Sequence, residues 1–115
     1  MHEAATSTSA LEQHALKLQE YGLKVEQWGK RIQEHSDRLA LEHGQLIEAH
    51  GKVIQRKAEE AFVYTKVALE QEDDSPALMM LIAQIQSEAR TAFINALVIF
   101  SQMMQKRIKM VGKNL

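Results

Sequence analysis

Apolar residues follow helical spacing along nearly the whole chain, in two segments of unequal length. From Ala10 to Gln71 no proline intervenes, and apolar positions recur every three or four residues. The run 70–76 (EQEDDSP) is the one clear break, because it concentrates charge and because Pro76 forces Ser75 out of the α region. The pattern predicts an all-α protein, a helical hairpin with a long first arm and an apolar second helix.

Capping residues predict where the two helices begin and end. Ser9 is a suitable N-cap for a helix that begins at Ala10. Ser75 can cap the second helix, with Pro76 at its first position, and Gly112 is a suitable stop. The predicted organisation is a disordered polar tail (1–9), a long helix (10–71), a turn (72–76), a second helix (77–111) and a second tail (112–115).

A seven-residue rhythm runs through the first arm, in units such as LKLQEYG (16–22) and LKVEQWG (23–29). A sustained heptad predicts a left-handed supercoiled contact. Gly44 stands alone between two of the seven-residue units, so we expect it to shift the heptad register by one residue. The third position of each unit is aliphatic (Leu18, Val25, Ile32, Leu39, Ile47, Ile54), the sixth is usually a flat ring (Tyr21, Trp28, His35, His43, His50), and the seventh is usually small (Gly22, Gly29, Ser36, Gly51, Ala58).

The glycines of this arm allow two interpretations. A glycine inside a helix costs about 1 kcal/mol relative to alanine, so four of them need a compensating contact. In one interpretation the arm is continuous, and the glycines let a neighbouring backbone approach closely. In the other they mark bends, and Gly44 to Gly51 is a hinge.

The second helix is apolar over so wide an arc that it must be buried on several sides. One partner arm with a narrow contact would leave a large apolar patch exposed, so we expect the chain to self-associate into a helical oligomer. The residues predicted to form the assembly interface are Leu18, Tyr21, Gly22, Val25, Trp28, Gly29, Ile32, Leu78, Leu81, Ile82, Ile85, Phe93, Leu97, Phe100, Met103 and Met104.

Catalytic and metal-binding motifs are not recognisable in the sequence. The chain has no cysteine, and His43 and His50 lie two helical turns apart, too far to share one ion. Glu59-Glu60 and Asp73-Asp74 are adjacent pairs rather than facing carboxylates. We therefore expect no enzyme activity, no metal site and no cofactor.

Composition argues against nucleic acid as a partner and against a segment that spans a bilayer. The net charge is −1 and aromatic residues make up 5% of the chain, which disfavours nucleic-acid binding. The most apolar stretch, Thr91 to Met104, is too short to span a bilayer.

The charge is unevenly distributed along the chain. Residues 1–74 carry fourteen acidic and nine basic side chains, whereas residues 75–115 carry one acidic and five basic. This asymmetry suits packing between copies, although cations near a helix C-terminus also stabilise its dipole.

The last third of the chain resembles the C-terminal half of type III secretion needle and inner-rod subunits. The resemblance rests on an acidic turn with proline (73–76), a Leu-rich start with Gln (78–86) and a basic finish (101–115). It implies a subunit that polymerises into a hollow helical tube, secreted or associated with the cell envelope, together with other secretion-apparatus subunits or a chaperone. The side chains that it implies for lumen or subunit contacts are Ser87, Arg90, Thr91, Asn95, Gln102 and Lys109.

Two functional hypotheses follow. In the first, the chain is a structural subunit of a secretion tube or filament, because an apolar helix that contacts many neighbours favours an open assembly. In the second, it is a closed coiled-coil dimer or tetramer that acts as an adaptor or secretion chaperone, with a cytoplasmic location.

Overall fold

The chain folds back on itself twice along a common axis. The computed structural model describes residues 2–35, 37–73 and 75–113, and the side chains of residues 10–35, 37–73 and 75–112. In these residues the chain forms three α-helices and no strand: α1 (His2–Gln33), α2 (Arg38–Glu70) and α3 (Pro76–Lys113). Since α2 runs antiparallel to both neighbours, the molecule is a rod of 66 × 20 × 17 Å. The all-α prediction is confirmed.

The prediction of a single long helix over 10–71 is wrong, because the chain reverses between Gln33 and Arg38. Asp37 is the N-cap of α2, with extended backbone angles (φ −87°, ψ 153°), and its Oδ1 accepts a 2.8 Å hydrogen bond from the Ala40 amide. The alternative hinge at 44–51 is wrong as well, because those residues lie inside α2. The two-armed hairpin is therefore a three-helix fold.

The predicted ends of the helices are correct only around the second turn. Ser75 caps α3, since its Oγ accepts a hydrogen bond of 3.3 Å from the Leu78 amide, and Pro76 is the first residue of the helix. At the N-terminus, the structure places residues 2–9 in α1 rather than in a disordered tail, so Ser9 is not a cap. Gly112 does not end α3, which continues to Lys113, and residues 114–115 of the predicted tail lie outside the described residues.

The turn between α2 and α3 closes with a left-handed residue. Glu72 has φ 51°, and the amide of Asp73 donates to the Ala68 carbonyl at 2.9 Å. The Glu72 amide donates to the Leu69 carbonyl at 3.3 Å, which completes a Schellman-type helix end. Glycine is the usual residue at this position, so Glu72 holds a backbone conformation that its Cβ disfavours.

The core of the rod is thin and made largely of small side chains. Ile47, Ile54 and Ile82 are the largest apolar side chains that are fully buried. Around them the interior consists mainly of buried alanines (Ala15, Ala40, Ala58, Ala61, Ala68, Ala89, Ala92, Ala96). Alanine keeps the helix axes close together, so the core between them is small. Much of the apolar surface of α3 therefore lies outside the core.

Candidate assembly interface

Four glycines bring the backbones of α1 and α2 close together. Gly22 faces Gly51 and Gly29 faces Gly44 across the antiparallel pair, and all four are buried. Ala15 and Ala58 occupy the next positions of the same register, and both are fully buried. The sequence interpretation that glycine permits close backbone approach is therefore correct, although the neighbouring backbone belongs to the same chain.

At Gly29 and Gly51 an added methyl group would meet backbone atoms rather than movable side chains. A Cβ on Gly29 would lie less than 3.0 Å from the backbone of both Glu48 and Gly44. A Cβ on Gly51 would meet the backbone of Glu26 and, at 2.8 Å, the Gly22 carbonyl oxygen. Since real Cβ contacts do not occur at such distances, the helices could keep their spacing only with glycine here.

Two equivalent sets of side-chain hydrogen bonds, which we call clamps, lie beside the glycine contacts. The Gln33 side-chain amide donates to Glu48 Oε1 at 2.8 Å and to its own helix at the Gly29 carbonyl. The Gln55 amide donates in the same way to Glu26 Oε1 at 2.7 Å and to the Gly51 carbonyl. Each clamp therefore joins α1 to α2 through a partly buried carboxylate.

Both clamp carboxylates are stabilised in their ionised form. Hydrogen bonds from Lys30 and Gln55 hold the pKa of Glu26 below its ordinary value. Hydrogen bonds from Gln33 and Lys52 do the same for the pKa of Glu48. A depressed folded-state pKa means that this contribution to stability is present at neutral pH and is lost on acidification.

The clamps arise from an internal repeat that the heptad analysis did not identify. The octapeptides EQWGKRIQ (26–33) and EAHGKVIQ (48–55) share the pattern E-x-x-G-K-x-I-Q, twenty-two residues apart. Each copy supplies the glutamate of one clamp and the glutamine of the other, so α1 and α2 are related by an approximate two-fold axis. The extra residue at Gly44 was the available signal, because the offset of twenty-two residues between the two copies is three heptads plus one.

Three of the five ring positions of the heptad face α3. The Tyr21 ring packs on Phe93 with centroids 6.0 Å apart, and Trp28 packs on Phe100 at 4.8 Å. His43 is buried and its Nε2 lies 3.3 Å from Lys106 Nζ. These three rings therefore bind the third helix of the same chain.

Polar contacts fix α3 at several points along its length. Arg107 pairs with both carboxylate oxygens of Asp37 at 3.0 Å, and Gln86 donates to the Leu11 carbonyl at 3.1 Å. Arg90 Nη1 lies 2.9 Å from His14 Nε2. Burial, with Arg90 and Lys17 nearby, lowers the pKa of His14, so protonation of this ring disfavours the contact.

Most residues predicted to form the assembly interface lie within the chain's own fold. Eight of them are buried: Leu18, Gly22, Val25, Gly29, Ile32, Ile82, Ile85 and Met103. Four are half-buried: Trp28, Leu78, Phe93 and Phe100. In this fold these twelve contact α1, α2 and α3 of one molecule, because the first arm folds back and covers α3 from two sides. The remaining four, Tyr21, Leu81, Leu97 and Met104, are exposed.

The outer side of α3 carries a second row of mainly apolar residues that the fold leaves exposed. Its members alternate in steps of three and four, as the contact positions of a coiled coil do. We call this row the outer seam: Met80, Ala83, Ser87, Arg90, Ile94, Leu97, Ser101, Met104, Ile108 and Val111. All ten are exposed, and the six large apolar members have exposed fractions from 39% at Met104 to 72% at Met80.

The residues implied for lumen or subunit contacts are all exposed on α3. Ser87 and Arg90 belong to the outer seam, and Arg90 also contacts His14. Thr91, Asn95, Gln102 and Lys109 lie beside the seam on a polar strip. Between Arg90 and Lys106 the chain has no charged residue, so the seam and the strip are neutral over four helical turns.

Other surface features are less distinctive. A shallow depression on α2 is lined by Arg56, Glu59, Glu60, Val63 and Tyr64. Among the described residues, no group of three or more His, Asp or Glu side chains is placed to hold a metal ion. None of the helices, over the residues described, combines the length and the hydropathy needed to cross a bilayer.

Comparison of the chain with protein-family models, curated protein sequences and solved structures gave no match.

Proposed function

We propose that this protein is a structural subunit that self-assembles into a helical tube or filament of a bacterial secretion apparatus, and that the outer seam of α3 joins the copies. The observation that carries the proposal is the seam itself, ten exposed positions at coiled-coil spacing with no charge between Arg90 and Lys106. The assignment to secretion rests on the resemblance of the α3 segment to needle and rod subunits.

The apolar surface left on α3 favours association without giving a stable pair by itself. Its six large side chains expose about half of their surface on average. Full burial of such a side chain contributes about 1.5–3 kcal/mol, so the exposed half contributes roughly 1 kcal/mol each, or about 12 kcal/mol for two copies. Association costs about 4–15 kcal/mol in lost freedom, so one seam contact gives a weak pair. A stable assembly therefore needs further contacts.

A second exposed apolar group supplies a surface for those contacts. Val63, Tyr64 and Val67 on α2 are exposed and adjoin Glu59 and Glu60. Two different interfaces on one subunit generate an open chain rather than a closed particle, unless the symmetry closes. The arrangement is thus suited to a filament.

One observation favours the alternative, a closed coiled-coil dimer or tetramer that acts as an adaptor or secretion chaperone. Because α1 and α2 cover the inner face of α3, less apolar surface is exposed than in the two-armed hairpin predicted from the sequence. A single contact along the outer seam would then cover six of the nine large apolar side chains that α3 leaves exposed.

Electron microscopy and analytical ultracentrifugation of three proteins test the proposal. They are the full chain, Ile94→Glu in the seam, and the control Leu46→Glu on α2, whose original side chain is 51% exposed compared with 57% for Ile94. We expect filaments for the full chain and the control, and monomers with unchanged helical circular dichroism for Ile94→Glu. A central channel in averaged images would support the tube. Discrete dimers or tetramers of the full chain would establish the adaptor alternative, and equal assembly of both variants would remove the seam from the contact.

A further inference from the structure

We propose that the outer seam binds the same seam of a second copy in antiparallel orientation, with Ile94 of one chain against Leu97 of its partner. This inference rests on the proposed function, because it names the partner and the register of the surface through which the copies join. Three observations on α3 support it: the spacing of the seam, the sizes of its side chains and the charges at its ends.

The spacing selects a small number of registers. Steps of three and four alternate along the seam, so two antiparallel seams match only where positions of one type face positions of the other. When Ile94 faces Leu97, the order of steps agrees from Met80 to Val111, and all ten exposed positions of each chain are covered. The contact then extends over about 46 Å of helix.

The side-chain sizes agree with this register. Exposed Ala83 faces Ile108 and exposed Ser87 faces Met104, so in these two layers a large side chain meets a small one. Met80 faces Val111 and Ile94 faces Leu97, which are apolar layers. Interdigitation of large and small residues is the packing that cores require. Arg90 faces the small Ser101 and is already directed to His14 of its own chain.

The charges select the antiparallel orientation. The last turns of α3 carry the cations Lys109 and Lys113, whereas the turn before α3 carries the acids Glu70, Glu72 and Asp73. A parallel pair would place two basic ends side by side. In the antiparallel register the basic end of each copy lies beside the first turns of its partner's α3, next to the acidic turn, where opposite charges attract.

Engineered disulfides test the orientation and the register, because the chain has no cysteine of its own. The double variant A83C/I108C places two thiols at exposed positions, and the proposed pair brings the thiol at position 83 of one copy to the thiol at position 108 of the other. Within one molecule these positions are about 38 Å apart along the helix, and a disulfide needs Cα atoms within about 7 Å. Any 83–108 linkage is therefore between copies.

Mass spectrometry of the cross-linked peptides after mild oxidation gives the readout, with the exposed α2 variant Gln45→Cys, outside both proposed contact surfaces, as the measure of random collision. We expect 83–108 dimers in large excess over the Gln45→Cys level. Linkage of 108 to 108 in the single variant I108C would show a parallel pair. Efficient linkage between positions 97 and 108 in the double variant L97C/I108C would show a register shifted by two heptads.

The two failures are distinguishable. A parallel pair, a shifted register, or 83–108 linkage no greater than the collision level in a protein that still assembles would overturn this inference and leave the proposed function standing. A full chain that sediments as a monomer at every concentration, with linkage at the collision level, would overturn both.

Discussion

Substitution of Gly29 by alanine changes a single hydrogen to a methyl group where the backbones of α1 and α2 approach each other closely. That methyl would lie less than 3.0 Å from backbone atoms of Glu48 and Gly44, none of which can rotate away. The helices must therefore separate locally. This separation would also disturb the clamp in which the Gln33 amide donates to Glu48 at 2.8 Å. The substitution therefore tests whether close backbone approach holds the pair together.

The expected size of the effect is the balance of two opposing contributions. Overpacking a well-packed interior costs about 1–3 kcal/mol, whereas alanine gains about 1 kcal/mol over glycine in helix propensity. Because backbone meets backbone, we expect overpacking near the top of its range and a net loss of about 1–2 kcal/mol in the free energy of unfolding. For a domain of this size that corresponds to a fall in Tm of about 4–8 °C.

Gly112→Ala is the matched control, because a Cβ there meets nothing within 4 Å. Urea unfolding followed by circular dichroism at a fixed protein concentration measures both variants. We expect Gly112→Ala to be neutral or slightly stabilising. The double variant G29A/G44A should cost less than the sum of the single variants, since the helices separate only once. Equal stability of Gly29→Ala and Gly112→Ala would refute the reasoning.

Three further predictions concern the turns and the clamps. Glu72→Gly should raise the free energy of unfolding by up to about 1 kcal/mol, because glycine adopts the left-handed conformation without steric cost. Acidification through the lowered pKa values of Glu26 and Glu48 should reduce the urea midpoint, since their ionised forms are stabilised only in the folded chain. Asp37→Asn should retain the N-cap and lose the ionic contact with Arg107, so we expect it to be more stable than Asp37→Ala in thermal melts.

Each of these has a result that would contradict it. A lower Tm for Glu72→Gly would mean that the glutamate side chain contributes more than its backbone strain costs. A urea midpoint that is the same at pH 3.5 and pH 7 would show that the clamp carboxylates are not preferentially ionised in the fold. Equal stability of the two Asp37 variants would assign the whole role of that side chain to its charge.

Local signals in the sequence determined the helical class, the α2–α3 turn and the importance of the glycines. Ser75 and Pro76 set the start of α3 through a hydrogen bond and a fixed φ, which depend only on neighbouring residues. The small seventh position of the heptad indicated close backbone approach, which the pairing of Gly29 with Gly44 confirms. Such features follow from chemistry within a few residues of each other.

Only the tertiary structure decided where the long arm reverses and which apolar residues remain outside the fold. A heptad pattern is the same for one continuous helix and for two antiparallel ones, and the reversal at 34–37 contains neither glycine nor proline. The chain reverses there because the reversal buries the glycine pairs, and Asp37 becomes the N-cap because α2 begins at that point. That reversal covers Phe93 and Phe100 with Tyr21 and Trp28, and it leaves the outer seam of α3 exposed. Periodicity shows that a helix has apolar faces, whereas the placement of neighbouring helices decides which face is left for another molecule.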